Sequence, residues 1–300
     1  MRVGIIDVGT NSIHLLIAQR RPNGSWRALR THHALARLGD GGLRRRRLTA
    51  AAMRRALIVL TRYRRLLRRV HADRIEAVAT SAVRDAENGA AFVRQVRTRC
   101  GFPLRIVSGR EEARLIYQGV AGLNRLRRAT LVLTIGGGSA QVAIGTGGQV
   151  RYARSIPLGS ARLAQRFIHH DPALPQELDR LRRYVARRWA PVMRAIRRVR
   201  WRRAVGSSAM IAQVMHAARG RRRSVSVTPP ALRRLILRLS ASTAHKRRRL
   251  PGIDARRQEL LLPTSVALLA WMDAGRGRSL RFAPGSLREG LLMAYNSRRR

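Results

Sequence analysis

Two short stretches hold the residues best suited to chemistry. Thr134 to Gln141, TIGGGSAQ, is a glycine turn between the apolar runs LVLTI and VAIG. Glycine at such a bend lets backbone amides approach an anion closely, which is the pattern of a phosphate-cradling hairpin. Asp7 to Ser12, DVGTNS, sits in VGIIDVGTNSIHLLIAQ, with β-branched and apolar residues on both sides of a bend at Gly9, Asn11 and Ser12. Laid over each other, Asp7 falls on Thr134 and Ser12 on Ser139, so the two stretches read as an internal duplication. Phosphate chemistry usually draws on a metal, and a hard metal on carboxylates. The first turn offers Asp7; the second offers no acid.

Two such hairpins, each opening a run of strands followed by helices, predict an α/β fold of two similar domains flanking a cleft, with a ligand's phosphates between the turns. The expected domains are residues 1–122 and 123–300, hinged near Gly119 to Arg128. In the first, a strand over Trp26 to His33 leads through a loop with Arg44 to Arg47 into an apolar-periodic helix from Thr49 to Val70. The strand RIEAVA then ends at Thr80 and Ser81, whose hydroxyls suit the start of a helix continuing through VRDAENGAAFVRQVRTR. SGRE has the spacing of a capping box, Ser108 with Glu111, which gives Glu111 a structural task and leaves Glu112 without one. The second half holds a strand in VRYARSIPLGS, helices across Ala161 to Arg200, a strand and turn in WRRAVGSSAM, an arginine-dotted helical region and a last helix, LREGLLMAYNS.

The 300 residues are 45% hydrophobic, enough for genuine cores. Against 63 Lys plus Arg stand 15 Asp plus Glu, a net charge of +48, and Lys246 is the only lysine. A GC-rich coding bias accounts for the ratio of arginine to lysine but not for the shortage of acids. That shortage favours a polyanionic partner, since guanidinium binds phosphate through paired hydrogen bonds. Aromatic residues make up 4% of the chain, too few for base-stacking platforms, so only non-specific, salt-sensitive association with nucleic acid is expected. Cys100 is the only cysteine, which excludes an intramolecular disulfide and fits a reducing compartment. The start of the chain has no apolar signal region, and the best apolar run, LLLPTSVALLAWM, is interrupted by Pro263, Thr264 and Ser265. The expectation is a soluble cytoplasmic protein with no membrane association. His32, His33, His169 and His170 lack the acids and cysteines of a metal site and read as structural or exposed.

Seven motifs in order, IDVGTNS, ATSAVRDAENGAAF, SGREEARLIYQGV, IGGGS, PLGSARL, LPGI and SLREG, resemble those of the exopolyphosphatase and guanosine pentaphosphate phosphohydrolase (Ppx/GppA) family. The resemblance runs from Arg2 to about Leu292 and fits the short, two-domain form with an actin-like (ribonuclease H-like) ATPase fold. It implies Mg²⁺-assisted hydrolysis of a terminal phosphoanhydride, in inorganic polyphosphate or in guanosine pentaphosphate. By the same resemblance Asp7 would hold the metal, Asn11, Ser12, Thr80 and Arg84 would contact phosphate, Gly136, Gly137, Gly138 and Ser139 would form the second phosphate turn, and Glu112 would be the base for the attacking water. The structural alternatives are a first-turn acid complementing its helix dipole for Glu112 and a surface arginine for Arg84. Their motif contexts favour the functional reading of each.

The chain departs from the family pattern where Thr134 and Gln141 replace an Asp and a Glu, which weakens metal binding without abolishing it, because Mg²⁺ often takes only one or two protein carboxylates. A further departure puts Ala209 and Met210 into a second-domain turn, narrowing it and removing a hydroxyl, which counts against nucleotide binding more than polyphosphate binding. Three functions follow: an exopolyphosphatase, a pentaphosphate 5′-phosphohydrolase, or an impaired paralogue that binds polyphosphate or the alarmone without cleaving it. The sequence leaves the oligomeric state open, a homodimer included.

Overall fold

The β-branched runs flanking each turn pair with each other, and around each pair the chain builds a sheet. The computed structural model describes residues 1–219, 226–275 and 277–297. The strands are β1 (Arg2–Val8), β2 (Ile13–Arg20), β3 (Trp26–Ala34), β4 (Arg74–Ala79), β5 (Arg105–Ile106), β6 (Thr130–Ile135), β7 (Ala140–Thr146), β8 (Gln149–Ile156), β9 (Arg203–Ser207), β10 (Ser226–Val227) and β11 (Leu280–Phe282). The helices are α1 (Ala50–Arg69), α2 (Ser81–Arg84), α3 (Gly89–Cys100), α4 (Gly109–Asn124), α5 (Ser160–Phe167), α6 (Pro175–Arg197), α7 (Ala209–Arg219), α8 (Pro229–Ser240), α9 (Ala244–Arg248), α10 (Gln258–Ala274) and α11 (Leu287–Ser297).

The first sheet has the order β3-β2-β1-β4-β5 and the second β8-β7-β6-β9-β11-β10. In each, an antiparallel meander of three strands is joined to parallel neighbours, β4 beside β1 and β9 beside β6. The duplication seen in the turns therefore extends through both sheets, giving two α/β units of like strand order.

Three apolar clusters follow from this layout. One lies between the first sheet and α1 and α3, including Leu60, Phe92 and Val96, all fully buried. Another lies beneath the second sheet against α6, α8 and α10, where Trp189 is fully buried and its indole Nε1 donates to Ala267 O at 3.0 Å. The third joins the two sheets: Val3, Ile5 and Val78 of one and Val132, Ala143 and Val205 of the other pack on α4 and α11. These helices meet at glycines. A Cβ on Gly119 would lie 2.7 Å from Gly290 N, and one on Gly290 would strike Leu115 O. The two helices meet backbone to backbone, and the expected hinge residues from Gly119 onward sit where α4 ends between the sheets.

Several expectations change in detail. The helix foreseen through Val83 to Arg99 is broken into α2 and α3, because Asn88 is tied to another loop: its side chain accepts from Leu48 N at 2.8 Å and donates to Leu48 O at 2.9 Å. The capping box at Ser108 is only half formed. Ser108 Oγ accepts from Glu111 N at 3.1 Å, but the Glu111 carboxylate takes Arg105 Nη1 at 2.6 Å instead of turning back. Cys100 is buried in packing, beside Thr61 Oγ1 at 3.6 Å. Among the described residues no helix is long and apolar enough to cross a membrane.

Candidate active site

Both turns have one backbone design. Gly9 N donates to Ser12 O at 3.0 Å, and Gly136 N donates to Ser139 O at 2.8 Å, so each bend closes across four residues. Each turn is also braced from the next strand. Thr80 N donates to Val8 O at 3.2 Å, and Ser208 Oγ donates to Ile135 O at 3.0 Å. Ser208 sits at φ 136°, a costly backbone for a non-glycine residue and one that clusters at functional sites. The amides of Thr10, Asn11, Gly137 and Gly138 donate to no protein acceptor among the described residues. They are donors left over for an anion.

The two turns press on each other. A Cβ on Gly137 would lie 3.1 Å from Thr10 Cβ and 3.2 Å from Asn11 Cβ, and one on Gly138 would strike Thr10 Oγ1 and lie 2.7 Å from Ser81 Oγ. Glycine is required here by this close approach, not by an unusual φ.

A cleft of about 450 Å³ opens along these turns. Asp7, Asn11, Ser12, Thr80, Glu112, Gly136, Gly137, Gly138 and Ser139 all line it, as do Thr134 and Gln141, so residues from separate elements converge on one place. Arg84 does not line it. Its Nη1 lies 2.8 Å from Glu112 Oε2 and 3.2 Å from Val107 O, while its Nε lies 3.5 Å from Asp85 Oδ1. Arg84 thus forms an ion pair with Glu112 beside the cleft, because α2 ends with Arg84 facing the N-terminus of α4.

Three carboxylates line the cleft; Glu289 accepts from Ser286 Oγ at 2.5 Å, and Asp7 and Glu112 are unlike it and each other. Asp7 Oδ1 is buried with no hydrogen-bond partner, and burial pushes the Asp7 carboxyl up to about 7; Glu112 and Glu289 add to that rise and the Arg288 guanidinium opposes it. Glu112 is also buried, at 6% exposure, and burial raises its pKa against the opposing charge and hydrogen bond of Arg84 and a hydrogen bond from Gln141. Such a carboxylate is a stronger base than an exposed one.

Thr134 and Gln141 are tied together by hydrogen bonds. Thr134 Oγ1 donates to Gln141 Oε1 at 2.7 Å, and Gln141 Nε2 donates to Ser139 Oγ at 2.7 Å and Ser155 Oγ at 3.2 Å. Neither side chain has the charge to hold a cation. Among the described residues no group of three or more His, Cys, Asp and Glu could hold a metal ion. The donor set thus fits a hard cation held mainly by water and substrate, with Asp7 as its protein carboxylate.

Three cleft residues were not singled out from sequence. Arg288, on α11, lines the cleft; its Nε donates to Ser286 Oγ at 3.3 Å and its Nη2 lies 4.0 Å from Glu289 Oε1. Its motif, SLREG, was visible, but nothing in the sequence aimed it at Asp7. Arg257 is buried, its Nε has no hydrogen-bond partner, and it contacts His33 Nε2. His14 stands opposite Asp7 in the β1–β2 register and is held neutral, its pKa pushed down to about 3 by burial and by the charges of Arg288, His33 and Arg257. Ala209 and Met210 line the cleft as well, consistent with a narrowed turn.

A model of the Ppx/GppA phosphatase family matches residues 16–298. An exopolyphosphatase from Cytophaga hutchinsonii is 26% identical, with a TM-score of 0.89 over 99% of this chain and 98% of that one. A Ppx/GppA family member from Aquifex aeolicus is 23% identical, with a TM-score of 0.81 over 100% of this chain and 98% of that one.

Proposed function

The chain belongs to the Ppx/GppA phosphatase family, and from that premise we propose that it is an exopolyphosphatase-like hydrolase releasing terminal orthophosphate from inorganic polyphosphate. One observation carries the reading: the open amides of both turns, the unpartnered Asp7 oxygen and the buried Glu112 carboxylate line a single cleft.

Phosphoryl transfer asks a protein chiefly to position groups and neutralise charge. In this reading the amides of Thr10, Asn11, Gly137 and Gly138 donate to oxygens of the terminal phosphate, with Asn11, Ser12, Thr80 and Ser139 adding side-chain contacts. Arg288 supplies a guanidinium with unspent donors. Glu112 takes a proton from a water whose oxygen bonds to the terminal phosphorus; the anhydride P–O bond breaks, and the shortened chain leaves with the bridging oxygen. Arg84 keeps Glu112 oriented and ionised. Asp7 would hold Mg²⁺, which when bound offsets negative charge on the phosphates. Cytoplasmic location and a soluble state belong to this reading.

A second reading has a specific observation in its favour. The Thr134–Gln141 set is neutral and internally satisfied where the family pattern has two acids, as expected of a paralogue that binds polyphosphate or guanosine pentaphosphate without turnover. Orthophosphate release from long-chain polyphosphate, with and without Mg²⁺, separates the two. The hydrolase shows Mg²⁺-dependent release that Glu112→Gln lowers about 10²- to 10⁴-fold, the usual contribution of a general base. If the wild type releases none while still binding the chain, the binding reading stands in its place.

A further inference from the structure

A second concave site adjoins the cleft. It measures about 580 Å³ and lies between the loop before α1 and helices α5 and α6. Its lining includes Arg44, Arg46, Arg162, Arg166, Arg180 and Arg188 and no Asp or Glu. Of these six guanidiniums only Arg162 has a carboxylate within 4 Å among the described residues. Like charges gathered without counter-ions repel one another, so this surface gains by meeting an anion.

Two of the arginines are held in place without being neutralised. Arg166 Cζ lies 4.6 Å from the Tyr184 ring centroid and 5.5 Å from that of Phe167, and Arg188 Cζ lies 5.3 Å from Tyr184 on α6. Phe167 and Tyr184 themselves pack 5.0 Å apart. A ring face orients a guanidinium while leaving in-plane N–H donors for phosphate; Arg188 Nε also donates to the Tyr184 hydroxyl at 3.3 Å, which leaves its two Nη groups for an anion.

Arg162 joins this groove to the cleft. Its Nε donates to Gly138 O at 2.8 Å, within the second phosphate turn, and its Nη2 reaches Ser81 Oγ at 3.2 Å and Asp85 Oδ2 at 2.5 Å. An extended anion with one end between the turns therefore passes this paired arginine to reach groove guanidiniums that have no carboxylate within 4 Å among the described residues. We infer that the groove of Arg44, Arg46, Arg166, Arg180 and Arg188 is a binding site for the internal phosphates of a polyphosphate chain whose end occupies the cleft. This rests on the phosphoanhydride reading of the cleft and deepens it, because it selects long chains over short phosphates and nucleotides.

The test is equilibrium binding to the full-length protein, so that it reads out whether or not turnover occurs. The probes are labelled long-chain polyphosphate, tripolyphosphate and a single-stranded RNA oligomer, each over a salt series. The groove variant is Arg166→Ser/Arg180→Ser/Arg188→Ser; the charge-matched control is Arg62→Ser/Arg65→Ser/Arg68→Ser on α1. Circular dichroism confirms that both fold. The expected result is that the groove variant binds long-chain polyphosphate at least tenfold more weakly and loses about two from the log–log salt slope, as expected for three lost phosphate contacts. The control changes affinity less than threefold, and tripolyphosphate affinity is the same in all proteins. Equal losses in both variants would reduce the groove to ordinary surface charge and overturn the proposal. A loss for RNA with none for polyphosphate would also overturn it, assigning the groove to nucleic acid. A loss for tripolyphosphate would overturn it by making the groove part of the cleft.

Discussion

The two turns share a backbone and differ in what they face inward. In the first, the cross-strand pair is Asp7 and His14; at the matching place in the second it is Thr134 and Gln141. Asp7 keeps an unpartnered buried oxygen, and His14 is held neutral. Thr134 and Gln141 satisfy each other at 2.7 Å. A duplicated frame has thus been used twice, once to store an uncomfortable charge and once to build a satisfied wall. Buried unpaired carboxylates cost stability, and proteins keep them where the charge is used. In the proposed hydrolase this difference gives the chemistry of the cleft to the first turn and its shape to the second.

The largest expected effect tests that division directly. Asp7→Asn should lower Mg²⁺-dependent orthophosphate release about 10²- to 10³-fold, the scale of removing one electrostatic stabiliser from a transition state. Thr134→Val, at the matching place, should stay within about tenfold. Steady-state release from polyphosphate at saturating Mg²⁺ checks both. Equal losses would mean that the turns share the chemistry after all.

Stability gives the next effect. The folded Asp7 carboxyl titrates near 7 and the unfolded one near 3.8, so between those values the folded chain binds more protons. Its contribution is therefore fully present at low pH, is lost as pH rises from about 4 to 7, and is flat above that. Asp7→Asn removes the dependence, so in EDTA the variant should gain on the wild type by on the order of 4 kcal/mol across that window, at about 1.4 kcal/mol per unit. Urea unfolding of both proteins at a series of pH values measures the difference. Mg²⁺ should raise the wild-type midpoint above pH 7 and leave the variant unmoved.

Much of the frame was legible. The helix from Thr49 was readable because Thr49 is an N-cap, its Oγ1 accepting from Ala52 N at 3.2 Å, with apolar residues at helical spacing behind it. The convergence of Asp7, Thr80 and Glu112 was implied by the resemblance of their motifs to those of the family, and all three line one cleft. The pairing of Arg84 with Glu112 was not legible, because sequence shows that an arginine ends α2 but not which way it turns. Arg288 and Arg257 were missed in a chain where arginine is everywhere, since only the packing of α10 and α11 sets them apart from solvated ones. The hydrogen bonds of Thr134 and Gln141 were invisible for another reason: the replacements looked like two losses, and the β6–β7 register makes them one.

Contact between the turns is sharpened by Gly138→Ala. Its Cβ has to displace Thr10 and Ser81, so the fold should lose about 1–3 kcal/mol, the usual cost of overpacking. Gly148→Ala serves as the control, because a Cβ there meets nothing within 4 Å, and it should remain within about 0.5 kcal/mol of wild type. Denaturant midpoints separate the two. A silent Gly138→Ala would mean that the turns part readily and that their contact does not define the cleft.

The smallest effect is also the most discriminating between the turns. Gln141→Glu keeps an acceptor for Thr134 Oγ1 but removes the amide donors that reach Ser139 Oγ, Ser155 Oγ and Glu112. It also sets a second carboxylate beside Glu112, and like charges raise each other's pKa. The acid limb of the pH–rate profile should therefore move up by about one unit at low Mg²⁺, since Glu112 must be ionised to accept the proton. High Mg²⁺ should cancel the shift, because the added carboxylate then faces a cation. The concentration of Mg²⁺ giving half-maximal rate should fall a few-fold. If the acid limb stays in place, Gln141 does not act on Glu112, and the second turn is inert towards the base as well as towards the metal. If it moves and Mg²⁺ restores it, the neutral pair orients the base, and the second turn takes part in catalysis without bearing charge.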